Sequence, residues 1–166
     1  LPEDLEQKIQ AFKPRFIYVT PTFSNPTGKV WSLERRKALL SLAKKFNVLI
    51  LEDDPYGDLQ YNAESPYPTI FSLDEERDGR NVIYTSTFSK TVVPALRTGW
   101  AIGNKRVIQM MAYAKQASDL HSSTMDQQAL YQLLTHFDLD GHIQNIRREY
   151  EARMRLMVDQ LQKQQW

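Results

Sequence analysis

Three short stretches of this sequence carry polar side chains of the kinds that bind and react with small molecules. Each follows a β-rich run: SNPTG follows RFIYVT, DDPY follows VLILE, and STFSK follows NVIYT. They offer an amide, carboxylates, a phenol, hydroxyls and an amine, and the guanidinium of Arg97 comes seven residues after Lys90. Hydroxyls and a guanidinium suit phosphate oxygens, and an amine can bond a carbonyl carbon. The set therefore predicts a ligand with a phosphate, a reactive carbonyl and a basic ring nitrogen, a description that pyridoxal phosphate fits.

The elements around these stretches are predicted from hydrophobic periodicity and turn residues. Helices are predicted at 1–12, 32–46 with Ser32 as N-cap, 105–118, 125–137 and 139–166, with a helical turn within 62–80. Strands are predicted at 15–20, 48–52, 81–85 and 100–103, and the apolar run VLILE predicts a strand covered on both faces. Strands that alternate with helices indicate an α/β fold with a mainly parallel sheet. The carboxyl ends of such strands line the ligand crevice, so the three polar stretches should meet there.

Composition excludes several classes of function. The chain has 166 residues, 42% of them hydrophobic, which suffices for one sizeable core. Its 21 basic and 20 acidic residues nearly cancel, so no charge pattern points to nucleic acid. No apolar run is long enough to cross a bilayer, cysteine is absent, and the three histidines lack metal-ligand spacing. We expect a soluble, cytoplasmic chain without a metal site.

Three motifs occur in order: Asn25-Pro26-Thr27-Gly28, then D-x-x-Y from Asp53 to Tyr56, then [ST]-x-S-K from Thr87 to Lys90 with Arg97 downstream. In this order they resemble the central part of the large domain of fold-type I pyridoxal-phosphate-dependent aminotransferases. The stretches SNPTG, EDDPYGDL and TFSKTVVPALRTGW are most similar to the branch of 2-aminoadipate and aromatic aminotransferases. The same domain is also fused to bacterial transcription regulators of the MocR type. Ser24 and Ala95 depart from the pattern of this branch, which more often has glutamine and glycine there.

The resemblance implies an organisation that extends beyond this chain. Residues 1–137 would form part of the pyridoxal-phosphate-binding large domain, a three-layer α/β/α structure, and 138–166 a long helix that leads toward a small C-terminal domain. The chain begins with Leu1 and stops inside a helical pattern, so we expect a fragment that lacks that small domain. A second subunit usually completes the site in this family. The intact protein is therefore expected to be a homodimer, and this chain alone is not expected to turn over.

The resemblance identifies Lys90 as the catalytic Schiff-base lysine. An isolated lysine after a strand is usually a surface residue, and the surrounding motif reverses that interpretation. An amine forms an imine only when it is unprotonated, so the site must disfavour the charged form by desolvation and by nearby positive charge. Arg97 and the apolar flank of Val92, Val93 and Leu96 are expected to supply both.

The other cofactor-binding residues are implied by the same motifs. Asp53 would face the pyridine nitrogen, because the family spaces this acid and its tyrosine three apart. Alternatively, Asp53 or Asp54 caps the following segment, a role that Asp54 is expected to take. Tyr56 and Asn25 would hydrogen-bond the phenolic oxygen of the cofactor; alternatively, the tyrosine packs as a loop aromatic and the asparagine forms a turn. The expected phosphate ligands are Thr87, Ser89 and Arg97.

The resemblance implies transamination, in which an amino acid gives its amino group to the cofactor held by Lys90 and a 2-oxo acid takes it. The alternative is the pyridoxal-phosphate-binding effector domain of a MocR-type regulator, where the cofactor acts as a signal. The motifs are shared between the two. A DNA-binding segment before Leu1 would favour the regulator, and nucleic acid is a partner only in that case. The intact motif residues disfavour a third interpretation, a degenerate domain that binds nothing.

Overall fold

The computed structural model describes residues 2–61, 65–75 and 81–164, and four strands within them form one sheet. The strands are β1 Phe16–Val19, β2 Leu49–Asp53, β3 Val82–Thr87 and β4 Gly99–Ile102. They lie in the order β1-β2-β3-β4, with β1, β2 and β3 parallel to one another and β4 antiparallel to β3. The predicted α/β fold with a mainly parallel sheet is confirmed, and the sheet has one antiparallel edge strand.

Six helices accompany the sheet in the described residues. They are α1 Pro2–Phe12, α2 Leu33–Phe46, the short α3 Ile70–Leu73, α4 Lys105–Ser118, α5 Thr124–His136 and α6 Leu139–Lys163. The predicted helices are confirmed, and α3 is the helical turn expected within 62–80. Parts of the predicted elements lie outside the described residues, namely Leu1, 62–64, 76–80 and 165–166. Within the described ranges, none of these helices has both the length and the apolar character of a membrane span.

The boundaries of α2 follow from two capping residues. The Ser32 side chain accepts a hydrogen bond from the backbone N–H of Arg35 at 3.3 Å, which confirms the predicted N-cap. Asn47 adopts a left-handed conformation with φ 52°, and its N–H bonds the carbonyl oxygens of Ala43 and Lys44. Asparagine tolerates this conformation better than most residues, so it ends the helix just before β2.

One face of the sheet packs against α1, α2 and α3 and forms the main core. The buried members are Val19, Leu39, Leu40, Ala43, Ile50, Ile70 and Val82. Side chains of a strand alternate between the two faces, so the residues between these positions point to the other side. There, Phe16 and Tyr18 are 57% and 55% exposed, and Leu49 and Leu51 are half-buried. Full burial of VLILE on both faces is therefore wrong for the described residues, because α1–α3 cover only one face.

Candidate active site

A cavity of about 710 Å³ lies beside the loops that follow β1, β2 and β3. Each loop contributes predicted site residues to its lining: Asn25 from the first, Tyr56 from the second, and Ser89 with Lys90 from the third. The structure therefore brings four of the seven predicted site residues to one space. The rest of the lining is largely apolar and includes Phe23, Leu59, Tyr61, Val92 and, from α6, Ile146 and Tyr150.

Asn25 lies in a closed turn after β1. The backbone N–H of Ser24 donates to Lys29 O at 3.1 Å, and the N–H of Gly28 donates to Ser24 O at 2.6 Å. Gly28 has φ 65°, a left-handed conformation that glycine adopts without steric cost. Asn25 is exposed at the rim of the cavity, so it forms part of a turn and also faces the candidate site.

Asp53, the last residue of β2, binds two hydroxyl groups. Its Oδ2 accepts a hydrogen bond from the Tyr18 hydroxyl at 2.7 Å, and its Oδ1 accepts one from Thr85 Oγ1 at 3.1 Å. The hydrogen bond from Tyr18, with partial burial and the nearby negative charge, raises the pKa of Tyr18 to about 12, so the phenol stays protonated. Asp53 is half-buried and is not part of the cavity lining.

Asp54 closes the turn that carries Tyr56. Its buried carboxylate accepts hydrogen bonds from the backbone N–H of Gly57 and from the Tyr84 hydroxyl, both at 3.0 Å. Burial raises the pKa of Asp54 and that of Tyr84. A Cβ added to Gly57 would lie 2.5 Å from Asp54 Oδ2, so a larger residue there would displace the Asp54 carboxylate. The capping role expected for Asp54 is thus present, and it leaves Asp53 free to act elsewhere.

Lys90 is exposed, and its Nζ lies 5.7 Å from the centroid of the Tyr56 ring. Because Lys90 is exposed, the expectation that its apolar flank desolvates the amine is wrong for the described residues. One member of that flank, Val93, is itself 39% exposed. The guanidinium of Arg97 binds Ser89 Oγ at 3.3 Å and Pro94 O at 3.2 Å. The backbone before Arg97 forms a 3₁₀ turn at Pro94–Leu96, and Arg97 itself adopts a left-handed conformation with φ 48°.

The three expected phosphate ligands lie close together in the chain, with Thr87 at the end of β3 and Ser89 and Arg97 in the connection to β4. Thr87 pairs with Gly99 across these strands, so residues 88–98 form a closed connection. Thr87 Oγ1 donates to Thr98 O at 3.2 Å and accepts from the Ser89 N–H at 3.1 Å, and it does not line the cavity. The Ser89 hydroxyl accepts from Arg97 and keeps its own proton for a ligand. Arg97 does not line the cavity either, but it contacts Ser89, which does, whereas the Thr87 hydroxyl proton is used within the loop.

A buried arginine that the motifs do not contain holds the Asn25 loop. Arg36 is 1% exposed and donates to Trp31 O at 3.1 Å, Pro21 O at 2.9 Å and Thr22 Oγ1 at 3.0 Å. It therefore ties together both ends of the segment 21–31. A fourth bond reaches Pro68 O at 3.1 Å, just before α3.

The charge of Arg36 faces Glu52, which is fully buried in β2. Arg36 Nη1 lies 3.9 Å from Glu52 Oε1, and the same carboxylate accepts from the backbone N–H groups of Ile70 at 2.8 Å and Phe71 at 2.9 Å. Burial lowers the pKa of Arg36 and raises that of Glu52. Because Glu52 precedes Asp53, this network joins the Asn25 loop to the strand that carries the candidate ring-nitrogen ligand.

The family model for aminotransferase class I and II matches residues 2–166 of this chain. The chain belongs to the class I and II aminotransferase family. Among solved structures, this member of the family is similar to the α-aminoadipate aminotransferase of Thermus thermophilus in complex with N-(5'-phosphopyridoxyl)-L-leucine. The TM-score is 0.86 and the identity 32%, and the match covers 96% of this chain and 41% of that one.

Two curated relatives show the breadth of the family around this chain. The aromatic-amino-acid aminotransferase 1 of Thermococcus litoralis is 39% identical over 163 residues, which is 95% of this chain and 38% of that protein. An uncharacterised HTH-type transcriptional regulator of Bacillus subtilis is 40% identical over 139 residues, which is 84% of this chain and 28% of that protein. The resemblance to this branch and to regulators is confirmed. The chain spans less than half the length of these relatives.

Proposed function

We propose that this chain is the pyridoxal-phosphate-binding part of an aminotransferase, which moves an amino group from an amino acid to a 2-oxo acid. The observation that carries the proposal is the cavity where Asn25, Tyr56, Ser89 and Lys90 meet. An amide, a phenol, a hydroxyl and an amine line one space of about 710 Å³. Membership of the aminotransferase family supports the proposal.

The donors around the cavity fit the two ends of the cofactor. The Lys90 amine is exposed and can bond an aldehyde carbon, and Tyr56 and Asn25 would contact the phenolic oxygen beside it. At the other end, the Ser89 hydroxyl and the Arg97 guanidinium, already in contact, would hold the phosphate. Pyridoxal phosphate, when bound, supplies an electron-accepting ring that stabilises negative charge at the α-carbon of an amino acid.

The residues of this chain would divide the remaining work among them. Asp53 would keep the ring nitrogen protonated through its carboxylate, and Tyr56 and Asn25 would orient the ring. Lys90 Nζ is the group that can take a proton from the substrate α-carbon and return it. Thr87 donates its hydroxyl proton to Thr98 O, so it would support the phosphate loop rather than the phosphate itself.

Reductive trapping tests this proposal. The protein is incubated with pyridoxal phosphate and reduced with borohydride, and the modified peptides are mapped by mass spectrometry. We expect the adduct on Lys90, and we expect Lys90→Arg to lose it while Lys29→Arg, a substitution beside the same loop cluster, keeps it. The full-length Thermus thermophilus relative serves as the positive control. Scattered labelling of surface lysines, or equal labelling of the wild type and the Lys90→Arg variant, would contradict the proposal.

A second candidate function is cofactor sensing in a transcription regulator, which the Bacillus subtilis relative favours. The two functions differ in the fate of an amino acid that meets the bound cofactor. A transaminase converts an added amino acid into its 2-oxo acid, which is detected by mass spectrometry, whereas a sensor binds the cofactor without releasing that product. Because this chain alone is not expected to turn over, the assay uses the intact protein, and release of a 2-oxo acid that is lost in Lys90→Arg decides for the enzyme.

The other expectations from the resemblance remain part of this proposal. A homodimer is tested by light scattering during size-exclusion chromatography. The cytoplasmic location stays a prediction. The division between a large-domain part, 1–137, and a connecting helix, 138–166, also stays a prediction. The helix α6 contacts the turn after Tyr56, where Arg147 Nε donates to Asp58 O at 2.6 Å.

A further inference from the structure

Tyr18 lies outside the three motifs and yet reaches one of their central residues. In the parallel pairing of β1 and β2, Tyr18 stands opposite Leu51, so Asp53 lies two residues further along on the same face of the neighbouring strand. The long phenol side chain spans this offset, and its hydroxyl donates to Asp53 Oδ2 at 2.7 Å. The contact follows from strand register and joins residues that are 35 positions apart.

Packing alone does not account for Tyr18. Its side chain is 55% exposed, so it contributes little to the core on the other face of the sheet. The strong directional contact it makes is the hydrogen bond to Asp53. Because this bond raises the pKa of Tyr18 to about 12, the phenol remains a donor throughout the neutral range.

The carboxylate of Asp53 is held at both oxygens. Tyr18 donates to Oδ2 and Thr85 donates to Oδ1, so rotation of the carboxylate would break one bond or both. Each oxygen of an ionised carboxylate has a second lone pair, so the two bonds leave acceptor capacity free.

We infer that Tyr18 is a positioning residue, whose hydroxyl fixes the Asp53 carboxylate so that its free lone pairs can face the ring nitrogen of the bound cofactor. The inference rests on the proposed function, because it concerns the same site. Without the Tyr18 hydroxyl, one of the two donors that hold the carboxylate is lost and the carboxylate can rotate out of line with the ring nitrogen. The hydrogen bond that keeps this nitrogen protonated is then weaker.

The test measures the protonation of the ring nitrogen directly. The protein is loaded with pyridoxal phosphate that carries ¹⁵N in the ring, and the ¹⁵N resonance and the cofactor dissociation constant are measured for each variant. Tyr18→Phe should weaken cofactor binding by about three- to tenfold, because one of the two donors that hold the carboxylate facing the ring nitrogen is lost. Its resonance should move from the wild-type position toward that of Asp53→Asn.

Tyr84→Phe is the matched control, since Tyr84 donates its hydroxyl to the adjacent Asp54 at 3.0 Å and not to Asp53. It loses the same atom two strands away from Tyr18, and its ring-nitrogen resonance should stay at the wild-type position. Equal shifts in Tyr18→Phe and Tyr84→Phe, or no shift in Tyr18→Phe, would overturn the inference while leaving the proposed function intact.

Two outcomes separate the inference from the proposal beneath it. If the wild type takes up no cofactor, the proposed function is wrong. If the cofactor binds but Asp53→Asn leaves the resonance unchanged, the assignment of Asp53 is wrong, and the inference is refuted with it. If Tyr18→Phe fails to fold by circular dichroism, 3-fluorotyrosine at position 18 keeps the ring and strengthens the donor. A shift away from the Asp53→Asn position is then expected, and an unmoved resonance contradicts the role of Tyr18.

Discussion

Replacing Arg36 by methionine is expected to lower the free energy of unfolding by about 3–5 kcal/mol, the range seen when one partner of a buried charged pair is removed. Methionine keeps the length of the side chain and removes the guanidinium. Four hydrogen bonds disappear, and buried Glu52 loses its facing positive charge. Each stranded buried acceptor costs about 1–3 kcal/mol, but these acceptors relax together, so the sum of the single values is an upper bound.

Urea unfolding followed by tryptophan fluorescence measures this loss, because Trp31 lies within the segment that Arg36 holds. Arg35→Met is the matched control one residue earlier on α2. Arg35 lies 4.0 Å from the centroid of the Trp31 ring at the surface, and its loss should cost less than about 1 kcal/mol. Hydrogen exchange in 21–31 should also accelerate in Arg36→Met and not in Arg35→Met.

The double variant Arg36→Met with Glu52→Gln adds a test of the mechanism. If part of the loss comes from leaving Glu52 charged and unpaired, the double variant should be more stable than the sum of the two single losses by about 1 kcal/mol or more. Strict additivity would refute the coupling between the two side chains. Equal and small losses in Arg36→Met and Arg35→Met would refute the larger claim that the buried network holds the Asn25 loop.

Two further predictions concern the turn that carries Tyr56. Gly57→Ala places a Cβ 2.5 Å from Asp54 Oδ2 and should cost about 1–3 kcal/mol of unfolding free energy; the same change in an Asp54→Ala background should cost clearly less, and an undiminished loss there argues against the clash. Asp54→Asn tests a pH dependence. Burial raises the pKa of Asp54 above its ordinary value of 3.8, so its contribution to stability is complete below that value and is lost as pH rises through the folded pKa. Urea unfolding between about pH 3 and pH 7 should therefore show the wild type losing more stability than Asp54→Asn as pH rises, and parallel curves would contradict the assignment.

Local signals in the sequence were sufficient to predict the elements and the convergence of the loops. Ser32 marks the start of α2 through capping chemistry, and alternating strands and helices indicate a parallel sheet. The contact between Tyr18 and Asp53 could not be predicted in the same way, since it depends on the register of two strands and no local pattern records register. The exposure of Lys90 was also missed, because a motif fixes residue types and not what covers them.

Arg36 is a different case, because a signal for it was present. It lies three residues before Leu39 and seven before Ala43, on the apolar stripe of α2, where an arginine must find buried acceptors. What the sequence does not contain is the identity of those acceptors. They are carbonyl oxygens of the loops at Pro21, Trp31 and Pro68, and only the folded chain brings them together.

The antiparallel edge strand β4 has a consequence for ligand capture. Phe88 N donates to Thr98 O at 3.1 Å, next to the pairing of Thr87 with Gly99, so the segment with Lys90 and Arg97 is a loop whose two ends are already joined. Closing a flexible segment of this length costs about 2 kcal/mol in chain entropy beyond a constant. The hydrogen bonds between β3 and β4 offset this loss of chain entropy when the protein folds. An incoming anion therefore meets two donors, Ser89 and Arg97, that are already in contact. Strand β4, which has no reactive side chain of its own, thus reduces the entropy that the loop loses on binding.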